Sequence, residues 1–444
     1  MKTNTIIFGV TMMLLLALPA AASDYTLGVF GNANEDDTIN MQDVTYTELI
    51  ILEYRDQTEL SDAKYDGKIN MQDVTQIELT ILGKEKEITI FQYIGTPPDV
   101  VEEPLTLAMP IERVVTASCY ACEALCIFGM GDTVVGVDGF TKKVGEIAEL
   151  IKDTEEIGQY SSSMDIEKVI SLDPDVVIAS TYFRSYYPEY EEQLADADIP
   201  MLMTDLDEPD KYPAEIGVLG LLVNKQEVSV ELITFEEELY AKIDEIVSEI
   251  PEDDKPKTAY GVYCPCPPGT FLPEEDIVRE RAGIRAASDE APPCYVACAG
   301  TSGNNRILRS GGINAFGSIT GYQQVDTEAI IGNDPEAFVM DVYPGYAGFV
   351  ECGYGVEDAS SMETVRDMFM SSTDWDSTTA VTNGDVYMIC NAAGGIHSSI
   401  YVLYMAKCLQ PDLFSEIDPI EVHGEWLKKF HGLDYTGVYV YPAP

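Results

Sequence analysis

Asp165-Ile-Glu-Lys-Val-Ile-Ser-Leu-Asp-Pro-Asp-Val-Val-Ile-Ala179 is the stretch on which the fold turns. The segment from Glu167 reads as a helix that Pro174 stops, since a proline ring lacks the N–H that the next turn needs. Asp175 to Ser180 then reads as a buried strand, a short apolar run with no polar face. The pattern returns as Glu328-Ala-Ile-Ile-Gly-Asn-Asp-Pro-Glu-Ala-Phe-Val-Met-Asp341, with a glutamate again seven residues before the proline. Working outward from the first copy, Arg113 to Ala117 and Thr133 to Asp138 read as further strands, with a helix over Ala121 to Gly129 between them. Helices alternating with apolar strands are the mark of parallel α/β units. Two such units predict two Rossmann-like lobes of like fold.

Between the copies, Lys225 to Ile250 holds no Gly or Pro and carries Val228, Leu232, Phe235, Leu239, Ile243 and Ile246 at helical spacing. At 1.5 Å per residue this predicts a helix of about 39 Å, long enough to join the lobes as a stiff backbone. A ligand is then expected in a cleft between the lobes, at the carboxyl ends of their strands. The boundaries predicted are 89–224 for the first lobe, 225–252 for the connecting helix and 253–444 for the second lobe.

Residues 23–88 have a different texture. Asn32-Ala-Asn-Glu-Asp36-Asp-Thr38-Ile-Asn-Met-Gln-Asp43 recurs as Asp62-Ala-Lys-Tyr-Asp66-Gly-Lys68-Ile-Asn-Met-Gln-Asp73. Oxygen side chains at Asn32, Asn34, Asp36 and Asp43, with the carbonyl of Thr38, suit a hard cation such as calcium; Asp62, Asp66 and Asp73 with the carbonyl of Lys68 form the second set. Asp37 stands where the turn prefers glycine, and Lys64 replaces an oxygen ligand by a positive charge, so the second site is expected to be the weaker. A helical stripe follows each loop. The paired loop–helix units resemble the dockerin module, which implies a small all-α domain, structural calcium and a cohesin-bearing protein as a partner.

The chain has 444 residues and a formal net charge of -51, which excludes a phosphate backbone as partner and so argues against nucleic acid. Apolar residues make up 46% and charged ones 23%, a globular composition. Lys2, the apolar run Ile6 to Leu18 and Ala20-Ala-Ala22 read as a signal peptide over residues 1–22, so the mature chain is expected to be exported, extracytoplasmic and without a lipid anchor. Ten cysteines in an exported chain favour disulfides. Cys119-Tyr-Ala-Cys122 at a helix start admits a second reading, a redox pair or thiolate metal site with a stabilised thiolate; Cys264-Pro-Cys266 and the pair Cys294 and Cys298 are candidates for either role. With three histidines and no nucleophile elbow or phosphate loop, an enzyme is not expected.

Four segments carry a wider resemblance: Arg113-Val-Val-Thr-Ala-Ser through Gly131-Asp-Thr-Val-Val-Gly-Val-Asp138, Ile157-Gly-Gln-Tyr-Ser-Ser through Ile178, Gly311-Gly-Ile-Asn-Ala-Phe-Gly317, and Val381-Thr-Asn-Gly-Asp-Val-Tyr387. Residues 110–442 are similar to the helical-backbone solute-binding proteins of ABC importers for iron chelates, haem and cobalamin. The resemblance implies an ABC permease as partner and a metal chelate as transported ligand. It also implies that Glu167 and Glu328, one per lobe, pair with permease arginines. Ligand contacts are expected from loops after strands: Tyr120, Tyr160, Tyr182, Arg184, Tyr343, Tyr346 and His397. Phenolic oxygens suit ferric iron, aromatic faces suit flat chelates, and Arg184 suits an anionic one.

Overall fold

The computed structural model describes residues 25–95, 100–159, 163–262, 294–344, 350–372 and 375–443. The predicted signal peptide, Tyr160, Tyr346, Cys264 and Cys266 lie outside the described residues.

Two loop–helix units open the chain, with helices α1 (Met41–Ile51) and α2 (Met71–Ile81). Each helix starts at an asparagine cap, and each last loop carboxylate ties loop to helix. Asp43 accepts from Asn34 N at 3.2 Å and Asn40 N at 2.8 Å, and Asp73 accepts from Lys64 N at 3.0 Å and Asn70 N at 2.7 Å. Capping of this kind satisfies N–H groups that the first helical turn leaves open. Val44, Ala63, Val74 and Ile77 form a small core of their own.

The module is not a separate all-α body. Its leading segment runs beside strand β1 (Glu87–Ile94), with Phe30 N donating to Thr89 O and Phe91 N to Gly28 O. Strand β1 in turn pairs antiparallel with β2 (Val101–Ala108). The predicted boundary at residue 88 therefore falls inside a hairpin, where Ile88, Ile90, Gln92 and Ile94 alternate inward. Leu27 and Val29 join the main core of the molecule.

The first lobe has strands β3 (Val114–Thr116), β4 (Val134–Val137), β5 (Glu155–Glu156), β6 (Val176–Ala179) and β7 (Met201–Met203), in the order β5-β4-β3-β6-β7. Every pairing among them is parallel. Alternate residues of one strand serve two different cores: Val176 and Ile178 face one cluster, Val177 and Ala179 the other. That double burial is why the run has no polar face. Helices of this lobe include α3 (Cys119–Ile127), α4 (Ile166–Ser171), α5 (Phe183–Tyr186), α6 (Pro188–Ala195) and α7 (Tyr212–Leu222).

The connector is α8 (Gln226–Ser248), 23 residues long, or about 35 Å at 1.5 Å per residue. Its buried face carries Leu232, Ile233, Leu239 and Ile243, and also Glu236. Glu236 accepts from Ser399 N at 2.9 Å and Ser399 Oγ at 2.7 Å, capping the helix Ser398–Leu409 of the second lobe. A carboxylate at a helix N-terminus meets its unsatisfied N–H groups and its positive dipole end.

The second lobe departs from the first. Its sheet contains β8 (Lys257–Val262), β9 (Cys294–Ala297), β10 (Ile313–Asn314), β11 (Tyr322–Val325), β12 (Ala337–Val342), β14 (Val386–Cys390) and β16 (Val440–Tyr441), while β13 (Gly353–Tyr354) pairs separately with β15 (Gly437–Val438). Strands β8, β10, β12 and β14 are parallel, and the flanking pairings β8–β9, β9–β11 and β14–β16 are antiparallel. The expectation of two like lobes thus holds for the parallel centre and fails at the edges.

Candidate functional site

The lobes face each other across a cleft at the carboxyl ends of β3 and β4 on one side and β12 and β14 on the other. Tyr120, Glu123, Phe140, Lys143, Glu146 and Asn391 line it, and its enclosed part measures about 30 Å³ among the described residues. Tyr120 sits on α3, which starts two residues after β3 with Ser118 as its cap. Its hydroxyl donates across the lobes to Asn391 Oδ1 at 3.1 Å.

Asn391 leads into a buried network of the second lobe. Its Nδ2 donates to Asp341 Oδ2 at 3.3 Å, and Tyr401 donates to Asp341 Oδ1 at 3.2 Å. Tyr343 also hydrogen-bonds Asp341. The Arg306 guanidinium lies 4.0 Å from that carboxylate, donates to the Tyr260 hydroxyl at 2.8 Å and covers the Tyr401 ring at 4.3 Å. Burial pushes the Asp341 carboxyl up, and Arg306 opposes that rise. Any movement of the cleft wall at Asn391 reaches this pair.

Beneath the floor stand all three histidines of the chain. Glu123 is buried on α3, and its Oε1 lies 3.2 Å from His431 Nε2 and 3.8 Å from His397 Nδ1. His397 is sandwiched against Trp426, with ring centroids 3.8 Å apart, and His423 stands 3.3 Å from the Tyr404 hydroxyl. Burial drives the His397 pKa well below its ordinary value and that of His423 down to about 3, so both rings are neutral. Glu146 accepts from the Tyr439 hydroxyl at 2.6 Å, and burial raises it to about 7. Through His431 and Tyr439 the C-terminal segment is bonded to the first lobe.

The remaining expected residues are distributed as follows. Tyr120 reaches the cleft, with Cys119 beside it. Tyr343 is turned to Asp341, and His397 is under the floor and not in the cleft. Tyr182 packs on Tyr186, with ring centroids 5.8 Å apart. Arg184 is paired with carboxylates: Glu103 of the hairpin holds it at 2.6 Å and Glu191 at 2.5 Å, so it ties the hairpin to α6. Glu167 and Glu328 are exposed in the first turns of α4 and of the helix Thr327–Asn333, each capped by an aspartate, Asp165 or Asp326.

Cys119, Cys122, Cys126 and Cys298 are thiols here, as are Cys352, Cys390 and Cys408. The favoured disulfides are not formed among these described cysteines, and the alternative of a stabilised thiolate at Cys122 finds no support. A hydrogen bond with Cys126 and burial raise the Cys122 thiol, and burial raises Cys298 to about 11. A stabilised thiolate needs the reverse shift. Cys294 opens β9.

Glu123, Phe140, Lys143, Glu146, Asn391 and His431 were not anticipated. One signal was available: Glu123 is the single charged residue of the otherwise apolar helix Cys119–Ile127.

Residues 114–265 match the family described as periplasmic binding protein. An uncharacterized ABC transporter substrate-binding lipoprotein of Bacillus subtilis (strain 168) is 25% identical over 245 residues, covering 54% of this chain and 67% of that protein. The vitamin B12-binding protein of Vibrio vulnificus is 33% identical over 72 residues, which are 16% of this chain and 24% of that protein. Among solved structures, the TroA-like periplasmic binding protein FepB from Veillonella parvula superposes with a TM-score of 0.58 at 18% identity, over 76% of this chain and 96% of that one. The fold is thus that of TroA-like binding proteins, and these relatives are substrate-binding proteins and not enzymes. No described helix is long and apolar enough to cross a membrane.

Proposed function

We propose that this chain is an extracytoplasmic solute-binding receptor that captures a metal chelate in the cleft between its lobes and presents it to the permease of an ABC importer. The observation that carries this reading is the Tyr120–Asn391 bridge, which joins the lobes above a buried floor at the carboxyl ends of both sheets. The stiff connector α8, bonded to the second lobe through Glu236, supports small adjustments of the lobes over wide hinge opening. The solute, a siderophore, haem or corrinoid, lies over the floor with one group reaching into the small cavity there. Native mass spectrometry with metal analysis, on protein purified without reductant or chelator, tests this. A chelate retained one to one is the expected result. Protein that carries no solute, and takes none from a panel of ferric siderophores, haem and cobalamin, overturns it.

Glu167 and Glu328 are the residues through which the receptor engages the permease, each exposed at a capped helix start of its own lobe. The double variant E167K/E328K is expected to bind ligand as the parent does, because exposed substitutions of this kind shift stability by less than about 0.5 kcal/mol. Stimulation of the reconstituted transporter's ATPase should fall by at least ~10-fold, since each reversal turns a charge-assisted pair into repulsion. Undiminished stimulation would remove both residues from the docking surface.

The N-terminal loops are assigned to structural calcium. Asn32, Asn34, Asp36, Asp43 and the Thr38 carbonyl would hold one ion, and Asp62, Asp66, Asp73 and the Lys68 carbonyl a second. All these donors are oxygens, although among the described residues no three of the carboxylates are gathered around one point, and Asn32 Oδ1 is buried with no hydrogen-bond partner, the kind of oxygen a hard cation takes. Met41 and Met71, and Leu52 and Leu82, are exposed at matching places of the two units, which supports docking of a cohesin-bearing protein. Calcium at 1,000 times its dissociation constant should stabilise the chelator-stripped chain by about 4 kcal/mol at the module. Thermal melts with calcium and with EDTA check this, and coincident melts overturn it.

A further inference from the structure

We propose that the floor of the cleft is a cation seat, in which Glu123 and Glu146 hold a positively charged group of the solute between the rings of Tyr120 and Phe140. This deepens the receptor reading and rests on it.

Both carboxylates line the cleft, and both are almost wholly buried, at 4% and 6% exposure. Each is gripped from behind through one oxygen: Glu123 Oε1 by His431, and Glu146 Oε1 by the Tyr439 hydroxyl. The second oxygens take no part in those two bonds. Glu146 Oε2 has no hydrogen-bond partner. Glu123 Oε2 lies 2.6 Å from where a Cβ on Gly395 would stand, and that Cβ would also approach the His397 ring at 3.3 Å. Gly395 has no unusual backbone conformation, so the glycine serves to leave room beside the carboxylate. Two buried carboxyl groups lining one small space favour a cation there over an anion.

Apart from His431, which bonds Glu123 Oε1, no buried basic side chain stands against them among the described lining residues. His397 and His423 are neutral. Lys143 is the one basic residue among the described lining residues, and it is exposed. Tyr120 and Phe140 present aromatic rings to the same space, which favours a cation further.

The cation has two possible sources, a metal centre or a protonated amine. Among the described residues no group of three His, Cys, Asp or Glu side chains is placed to hold a metal ion. A metal arriving here must therefore bring most of its own ligands and present open positions to the two glutamates.

Calorimetry on the calcium-saturated full chain separates the cases. The probes are the nickel(II) complex of tris(2-aminoethyl)amine, a cationic chelate with two adjacent open positions; putrescine, an organic diammonium; and ferric citrate, an anionic chelate. One cationic probe is expected to bind one to one, and E123Q and E146Q should each weaken it by at least ~10-fold. A shift of the nickel absorption bands on binding identifies the metal source; binding of putrescine without such a shift identifies the amine. Should either glutamine variant melt early, G395A keeps both carboxylates and fills the space, and it is expected to weaken the same probe. Cationic binding unchanged in all three variants overturns the seat. Ferric citrate bound at a site lost in Y120A, with neither cationic probe bound, overturns the seat and leaves the receptor standing. No binding of any probe, with no solute in native mass spectrometry, removes both.

Discussion

Arg306→Met is expected to destabilise the second lobe by about 3–5 kcal/mol, the cost of stranding one member of a buried ion pair. The guanidinium is 5% exposed, donates to Tyr260 and lies over the Tyr401 ring. Without it, Asp341 keeps only uncharged donors, Asn391, Tyr260, Tyr343 and Tyr401. A buried carboxylate so placed either takes up a proton or draws water into the core, and both cost stability. For a lobe of this size 1 kcal/mol corresponds to about 2–4 °C, so the melting transition should fall by roughly 6–20 °C. The double variant R306M/D341N is neutral at both positions and should recover most of the loss. A melt of R306M within 2 °C of the parent, or a double variant no better than the single one, sinks this account. Because Asn391 also holds Tyr120, the single variant should disturb the cleft wall as well.

The second large effect is a loss of stability as pH rises. Burial lifts Glu146, Glu215 and Glu236 to about 7 each. Glu215 takes N–H groups of Asp205 and Leu206 and Glu236 those of Ser399, but these bonds do not offset the cost of burying charge. For a carboxyl whose folded pKa is raised, the folded state binds the proton more tightly than the unfolded chain. The stability it contributes is complete below the unfolded value near 4.5 and is lost as pH climbs through about 7. Each residue accounts for a loss on the order of 3 kcal/mol over that window. Repulsion among the surface acids acts in the same direction, so the parent's profile does not isolate the three. E146Q/E215Q/E236Q does, because glutamine is the isostere of the protonated acid. The variant should match the parent near pH 4.5 and exceed it by several kcal/mol at pH 8 in urea titrations, by the sum of those shifts. Parallel profiles from pH 4.5 to 8 would falsify the assignment.

Much of the architecture was legible because it is written in short-range pattern. Pro174 and Pro335 stop their helices where they stand in the sequence, and the runs Val176–Ala179 and Ala337–Val342 are strands wherever both faces are covered. The stripe of α8 follows from residues three and four apart. The capped loops are also local: Asp43 and Asp73 close turns onto amides three and nine residues away.

What the sequence left unread has a common cause. Arg184 follows a strand, as an anion ligand would, but its partners include Glu103, 81 residues away on a hairpin that the alternation from residue 87 did not announce. Cys119 and Cys122 have redox-motif spacing, yet spacing does not say that helix α3 turns Cys122 into the core and leaves Cys119 at the cleft.

By itself, then, the sequence determined the two helix–strand units, the stiff helix between them and the duplicated oxygen-rich loops, because periodicity and capping act within a few residues of chain. Only the tertiary structure decided the floor of the cleft. Glu123 meets His431 across 308 residues and Glu146 meets Tyr439 across 293, and a pairing over such a distance leaves no periodic trace. It is the packing of the C-terminal segment against the first lobe that buries these carboxylates and keeps Glu146 Oε2 without a partner.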